Sequence, residues 1–440
     1  MGSRYSKRTV EDSELSDEMS TEKLEQQHGK YGECKECMQQ NTGYGWCMSC
    51  NANHFQELFD KWTSGNNTID RFVQNSQLSA TNSWEVLEWV PYERFFNVKY
   101  LGKGGYGVVY SANWDDGCIK RWDDETKQWS RFSYQDVVLK SLRNSRNLVE
   151  DFLEEINAQM KLNLNTYIIP CYGITKDPKT DDFMIVMKYA SDGSLRQYLN
   201  KNLKNLKWGP KLNIIRTAAE GLYNIHKSNL THKNLHSGNI VIDNGICSYI
   251  TDFGIYKPED YESQEKSNNN QVYGVLPYVA PEVLYGDTYT QAADIYSFGI
   301  LMNEVASELP PYYNIPHNYN LALQISQGYR PKIKENYTPQ LISDLIKRCW
   351  DARPELRPTA NELHEIFGSW YHDYDDKKKF PELWKQIEMI EKSKDTDDFS
   401  NENDKVKRTS YITHHQATYT SCALSFANLS QPVNASDILV

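Results

Sequence analysis

The sequence predicts an α+β chain, and three observations carry that class. Short β-patterned runs at 98–101, 108–112 and 137–140 crowd into one stretch. Helical periodicity then takes over, with Leu212, Ile215, Ala219, Leu222 and Ile225 recurring at helical spacing. Upstream, two Cys-x-x-Cys pairs mark a small module of another kind. Strands gathered ahead of helices, rather than alternating with them, indicate segregated layers.

The 440 residues allow more than one domain and a sizeable core. A formal charge of −11 argues against bulk nucleic-acid binding. No apolar run reaches the roughly 18 residues of a membrane span. No apolar stretch follows the N-terminal charges, so a secretory signal is not expected. The nine cysteines are an odd number, and Cys118, Cys171, Cys247, Cys349 and Cys422 are scattered. Such usage suits free thiols in a reducing compartment, and the expected location is cytoplasmic.

Residues 1–30 are charged and poor in large apolar side chains, and are expected to be a disordered tail. Met1-Gly2 with Ser6 fits a myristoylation pattern, and Lys7 and Arg8 would supplement weak membrane attachment through Gly2. Residues 31–92 are read as a cysteine module and helical linker. Phe55, Leu58, Phe59 and Trp62 fall at helical spacing, and Ile69, Phe72 and Val73 suggest a second short helix. Residues 84–92 look like a docking segment leading into the main domain, 93–372. Within that domain, 114–135 reads as a hairpin extension around a polar turn at 123–127. Residues 373–440 are read as a flexible C-terminal tail.

Cys34-x-x-Cys37 and Cys47-x-x-Cys50, with nine residues between the pairs, fit a tetrahedral Zn²⁺ site of two knuckles. Asn41, Gly43 and Gly45 suit tight turns between them. Four filled positions make a structural site, without which so small a segment could not bury enough surface to fold. The alternative is four free thiols in a loop.

Gly102-Lys103-Gly104-Gly105-Tyr106-Gly107 follows a predicted strand. The same glycine pattern opens a helix in dinucleotide-binding folds. Here Val108-Val109-Tyr110 follows, which favours strand–loop–strand, a hairpin whose backbone N–H groups cover phosphates. Lys140 ends the strand that carries Val138. Glu155 lies on a predicted helix and can pair with it. Then come Thr231-His232-Lys233-Asn234-Leu235-His236-Ser237-Gly238-Asn239, Asp252-Phe253-Gly254, Ala280-Pro281-Glu282, Asp294 to Gly299, and Cys349 to Pro358.

In this order the motifs resemble the eukaryotic protein kinase family over about residues 95–370. GVLPYVAPEVL, DIYSFGILMNEV and CWDARPELRPT look most like its tyrosine-kinase-like branch in fungal expansions. The resemblance implies two lobes, a β-rich N-lobe and a helical C-lobe, with ATP and Mg²⁺ as cofactors in the cleft. It implies contacts to ATP from Gly102, Lys103, Gly104, Gly105, Tyr106, Gly107, Val109 and Val138. Lys140 would reach the phosphates and pair with Glu155. Met187, Lys188 and Ala190 would form the gatekeeper and hinge beside adenine. Asn239 and Asp252 would hold Mg²⁺, Asp294 would brace the catalytic loop, and Arg357 would pair with Glu282. The expected partner is a protein substrate or signalling protein; oligomeric state stays open.

Several residues depart from that pattern. The catalytic acid of H-R-D-L-x-x-x-N is replaced by Asn234. Lys233 keeps a charge but loses the bidentate grip of arginine. His236 stands where serine/threonine kinases keep a lysine, and Gln159 is polar at a usually apolar position. Tyr256, Tyr261, Ser263, Ser267 and Tyr273 are weak phosphosite candidates in the activation segment. The expectation is ATP binding with weak or absent phosphotransfer, and signalling by scaffolding. The alternative is an active serine/threonine kinase of reduced rate.

Overall fold

The computed structural model describes residues 31–104, 107–142, 145–147, 149–163, 165–203, 206–245, 247–253, 271–372, 381–398, 411–426 and 429–439. The N-terminal tail with Gly2, the loop residues Gly105 and Tyr106, and the phosphosite candidates Tyr256, Tyr261, Ser263 and Ser267 lie outside them. In chain order the first elements are α1 (Met48–Gln56), α2 (Asn67–Ser79), β1 (Glu88–Trp89), β2 (Phe95–Lys103), β3 (Gly107–Trp114), β4 (Ile119–Asp123), β5 (Gln128–Arg131) and β6 (Gln135–Leu142). After α3 (Val149–Met160) come β7 (Cys171–Lys176), β8 (Phe183–Lys188), α4 (Leu195–Lys201), α5 (Trp208–Lys227), β9 (Ile240–Asp243) and β10 (Cys247–Ile250). The chain closes with β11 (Gln271–Gly274), α6 (Pro281–Tyr285), α7 (Gln291–Ser307), α8 (Tyr319–Ser326), α9 (Gln340–Cys349), α10 (Ala360–His372), α11 (Pro381–Asp398) and β12 (Cys422–Ser425).

Two compact units emerge. One joins residues up to Trp89 with Asp115–Gln135; the other holds Val90–Trp114 and Asp136–Val440. The hairpin extension therefore belongs with the cysteine module and not with the main domain that surrounds it in sequence. Its aromatic side chains explain this. Trp129 on β5 stacks on Phe55 of α1 at 4.3 Å and on Trp46 at 5.7 Å, while Trp122 on β4 stacks on His54 at 3.8 Å. Trp46 is buried and its Nε1 donates to the Ala80 carbonyl at 2.9 Å. Helix α2 starts where the Asn66 side chain caps the amides of Thr68 and Ile69.

In the larger unit β7, β8, β6, β3 and β2 lie side by side in that order. Strands β2 and β3 form an antiparallel hairpin, and β6 and β7 each pair antiparallel with β8. The helical part packs around α5 and α7. Leu212, Ile215, Ala219, Leu222 and Ile225, read from their spacing as one helix face, are all buried. Residues Ala293 to Ser307 of α7 are buried all round, which makes it the centre of this core. Ser194 and Gln197 close a reciprocal cap at the start of α4.

The C-terminal region differs from the flexible tail read in the sequence. Leu383, Trp384 and Ile387 of α11 join the helical core, as does Leu429. Strand β12 pairs antiparallel with β11, Cys422 opposite Gly274 and Ser425 opposite Gln271. Apolar residues spaced along an otherwise polar stretch provide these anchors. Among the described residues, no helix is long and apolar enough to cross a membrane.

Candidate active site

The glycine-rich turn joins β2 to β3, with Gly102 opposite Val109 and Lys103 opposite Val108. The Gly104 amide donates to the Gly107 carbonyl at 2.9 Å. A Cβ on Gly107 would lie 1.7 Å from the Ser141 carbonyl oxygen, so only glycine lets the hairpin approach β6 this closely. Val138 on β6 faces Met187 on β8 across the ladder, and Ala190 follows just after β8. Lys188 turns to Asp243 at 3.1 Å and Tyr249 at 3.1 Å. Its side chain is thereby tied to the helical part.

Lys140 is buried, with its Nζ 2.9 Å from Asp252 Oδ1 and 3.8 Å from Glu155 Oε1. Burial alone would lower its pKa, but the carboxylates of Asp252 and then Glu155 outweigh that and hold it above the usual lysine range. Burial likewise works to raise the Asp252 pKa, and the Lys140 charge overcomes it, leaving Asp252 below the usual carboxylate range. Asp252 sits at φ +63°, a left-handed conformation that turns its carboxylate toward Lys140.

Asp294 holds the loop that carries Asn234. Its carboxylate accepts from the His232 amide at 2.8 Å and the Lys233 amide at 3.0 Å, and pairs with His226 at 2.9 Å. His232 Nε2 meets the Thr251 carbonyl at 3.0 Å and the ring stacks on Phe253. Asn239 Nδ2 donates to the carbonyls of Asn234 at 2.9 Å and Asp252 at 3.3 Å. Those bonds commit its nitrogen, so a metal contact from this side chain would fall to its oxygen, beside the Asp252 carboxylate. Two hard oxygen donors suit Mg²⁺. Asn234 is buried, and its Oδ1 accepts a hydrogen bond from Ser421 Oγ at 3.0 Å.

Farther from the cleft, Arg357 makes two bonds to Glu282, at 2.6 and 2.7 Å, both ends buried. Gln159 is accommodated in a buried setting by donating to the Ile169 carbonyl. His236 Nδ1 accepts from the Gly238 amide at 3.0 Å, while burial pushes its pKa down to about 3.

In the smaller unit, Cys34, Cys37, Cys47 and Cys50 bring four sulfur atoms within 4.8 Å of one another. Cys34 and Cys50 lie 3.8 Å apart, and Cys37 and Cys47 3.6 Å. A tetrahedron with Zn–S bonds of about 2.3 Å has edges of about 3.8 Å, so the donor set fits zinc. The first pair closes a turn with Met38 at φ +58° and the Glu36 amide 3.4 Å from Cys34 Sγ. The second pair opens α1, with Cys47 as its N-cap residue.

Sequence reasoning missed two groups. Arg196 binds Glu304 at 2.7 Å, Tyr278 at 2.7 Å and Ser237 at 2.9 Å beneath the catalytic-like loop. Ser421 was missed entirely; its one signal is the short β-forming run around Tyr419 and Leu424 after a charged stretch.

Residues 96–367 match the protein tyrosine and serine/threonine kinase family, and the chain belongs to that family. A protein of Acanthamoeba polyphaga mimivirus, assigned as a serine/threonine-protein kinase/receptor, is 28% identical over 293 residues, 65% of this chain and 16% of that protein. The cytoplasmic tyrosine-protein kinase BMX of Homo sapiens is 29% identical over 295 residues, 66% of this chain and 39% of BMX. The tyrosine-protein kinase TXK of Homo sapiens is 26% identical over 310 residues, 68% of this chain and 53% of TXK. The chain thus matches only a part of each of these relatives. Membership implies ATP and Mg²⁺ as cofactors.

Proposed function

We propose that this chain is an ATP- and Mg²⁺-binding kinase-like protein of the serine/threonine type, in the tyrosine-kinase-like branch. It signals by scaffolding, with weak or absent phosphotransfer. The observation that carries this is Asn234, a carboxamide where the kinase pattern has its acid, in a chain whose Lys140 meets Glu155 and Asp252. Bound ATP supplies the γ-phosphoryl group, and Mg²⁺ neutralises its developing charge. Lys140, held by Glu155 and Asp252, presents a cation to the phosphates. Met187, Lys188 and Ala190 line the adenine side, and the described glycines of the hairpin, Gly102, Gly104 and Gly107, bring backbone to the phosphates. Asn234 Oδ1 can orient a hydroxyl but cannot take its proton near neutral pH. Losing general-base help lowers a rate by about 10²- to 10⁴-fold.

The same carboxamide supports a second reading, a slow serine/threonine kinase, because its oxygen already accepts a bond from a serine hydroxyl. Comparing nucleotide binding and phosphate transfer in the wild type, Lys140→Ala and Asn234→Asp separates the two readings. Scaffolding requires tight Mg²⁺·ATP binding with transfer at background in the wild type. Transfer at an ordinary kinase rate would refute it. The four-cysteine cluster is proposed to hold a structural Zn²⁺, supported by its sulfur spacing. A cytoplasmic location is proposed on the charge and cysteine usage, and BMX carries that location in its name. Myristoylation of Gly2 is kept as a proposal, tested by intact mass after expression with an acyltransferase.

A further inference from the structure

We propose that the chain carries its own acceptor-site ligand: residues 419–425 fill the protein-acceptor site as an extended strand, with Ser421 at the position of the receiving hydroxyl. This deepens the reading above and rests on it for the identity of the site.

The first observation is chemical. In the kinase pattern, the residue at position 234 accepts the substrate hydroxyl. Ser421 Oγ lies 3.0 Å from Asn234 Oδ1 and 3.2 Å from His236 Nε2. Since His236 Nδ1 accepts the Gly238 amide, its Nε2 carries the proton and donates to Ser421. The serine hydroxyl in turn donates to Asn234, so the hydroxyl is held from both sides.

The second observation is the backbone. Strand β12 pairs along β11, a strand of the activation segment, in antiparallel register from Gln271 to Gly274. Adding a strand to an exposed edge is a general way to bind an extended peptide. Tyr273 OH also donates to the Ser421 carbonyl at 3.1 Å.

The third observation is side-chain recognition two residues ahead of the serine. Tyr419 lies under the Arg196 guanidinium at 4.1 Å, and its hydroxyl donates to the Pro311 carbonyl at 2.9 Å. Arg196 is locked by Glu304 and Tyr278, so this is a preset aromatic seat. Upstream, the Thr418 carbonyl lies 2.8 Å from His317 Nδ1.

These contacts define the class of peptide the site takes: extended, with an aromatic residue two places before a small hydroxyl residue. A tethered segment has an effective concentration in the millimolar range, so a free protein must outcompete it.

The test uses a fluorescein-labelled peptide of residues 415–426 and the full-length chain, without nucleotide. The tail's own seat is weakened by Tyr419→Ala with Ala423→Pro, which removes the aromatic contact and breaks β12. The peptide should bind this variant at least 10-fold more tightly than the wild type. A peptide with alanine for the tyrosine should lose most of that binding. In the wild type, backbone amides of 271–274 and 422–425 should exchange slowly with solvent, and in the variant quickly. Equal peptide affinity for both chains, or free-chain exchange of 422–425 in the wild type, overturns the proposal. The exchange measurement on the wild type decides even if the variant misfolds. Mg²⁺·ATP binding, measured on the same samples, fails independently: its loss refutes the kinase-like reading while leaving the tail's placement intact.

Discussion

Lys140 shows how much one buried charge decides. It stands between Asp252 and Glu155 with almost no solvent contact, so its removal leaves the buried Glu155 carboxylate and the partly exposed Asp252 carboxylate facing each other. Breaking a buried pair from one side costs about 3–5 kcal/mol. Lys140→Ala should therefore lose nucleotide binding and also lower the denaturation midpoint, checked by titration and thermal unfolding. His236 gives a pH signature. Folded, it stays neutral down to about pH 3; unfolded, it protonates near 6.5. Between those values the unfolded chain binds more protons. The contribution of His236 is thus complete above pH 6.5 and is lost as pH falls toward 3, at about 1.4 kcal/mol per pH unit. His236→Gln should flatten that slope in urea unfolding followed from pH 7 to 4. His232 is shifted the same way, by burial, so some slope should survive.

At the scale of elements, the glycine-rich hairpin and the cysteine module invite the clearest tests. Gly107→Ala places a methyl group against the Ser141 backbone, and overpacking of this kind costs about 1–3 kcal/mol. The hairpin should shift away from β6 and weaken ATP binding with little change in the unit that holds the cysteines. In that unit, chelation should unfold the segment around Cys34 to Cys50, seen as a loss of tryptophan fluorescence from Trp46 and Trp129. A zinc-free chain with unchanged fluorescence would refute the metal site. Trp129→Ala removes four ring contacts and should lower the stability of the same unit, read as a drop in its unfolding midpoint. That hairpin was legible as a hairpin from Ile119 to Phe132, but its allegiance was not. Aromatic runs state that a partner exists, and only the fold states that the partners are Trp46, His54 and Phe55.

Across the whole molecule, legibility follows whether a residue sits in a local motif. The residues proposed to bind phosphate stand out in the sequence because each sits in a local motif whose neighbours constrain it: Lys140 on an apolar strand, Asp252 before Phe253, Asn239 after Asn234. The pairing of Glu282 with Arg357 was equally readable, and the structure brings them together. The tail was not. Four-residue strands carry little pattern, and β12 finds its partner some 150 residues earlier, in β11. Arg196 was missed for a related reason, since its meaning comes from Glu304, Tyr278 and Tyr419 and not from its own neighbours. The result is a chain whose local motifs declare a nucleotide site, while its long-range contacts place a serine on the altered residue of that site.

The most direct test of the central claim measures phosphate transfer from Mg²⁺·ATP, alongside ATP affinity, in the wild type and in Asn234→Asp. The account predicts equal ATP affinity within about threefold and transfer that rises by about 10²-fold or more when the carboxylate is restored. Transfer in the wild type equal to that of Asn234→Asp would contradict it.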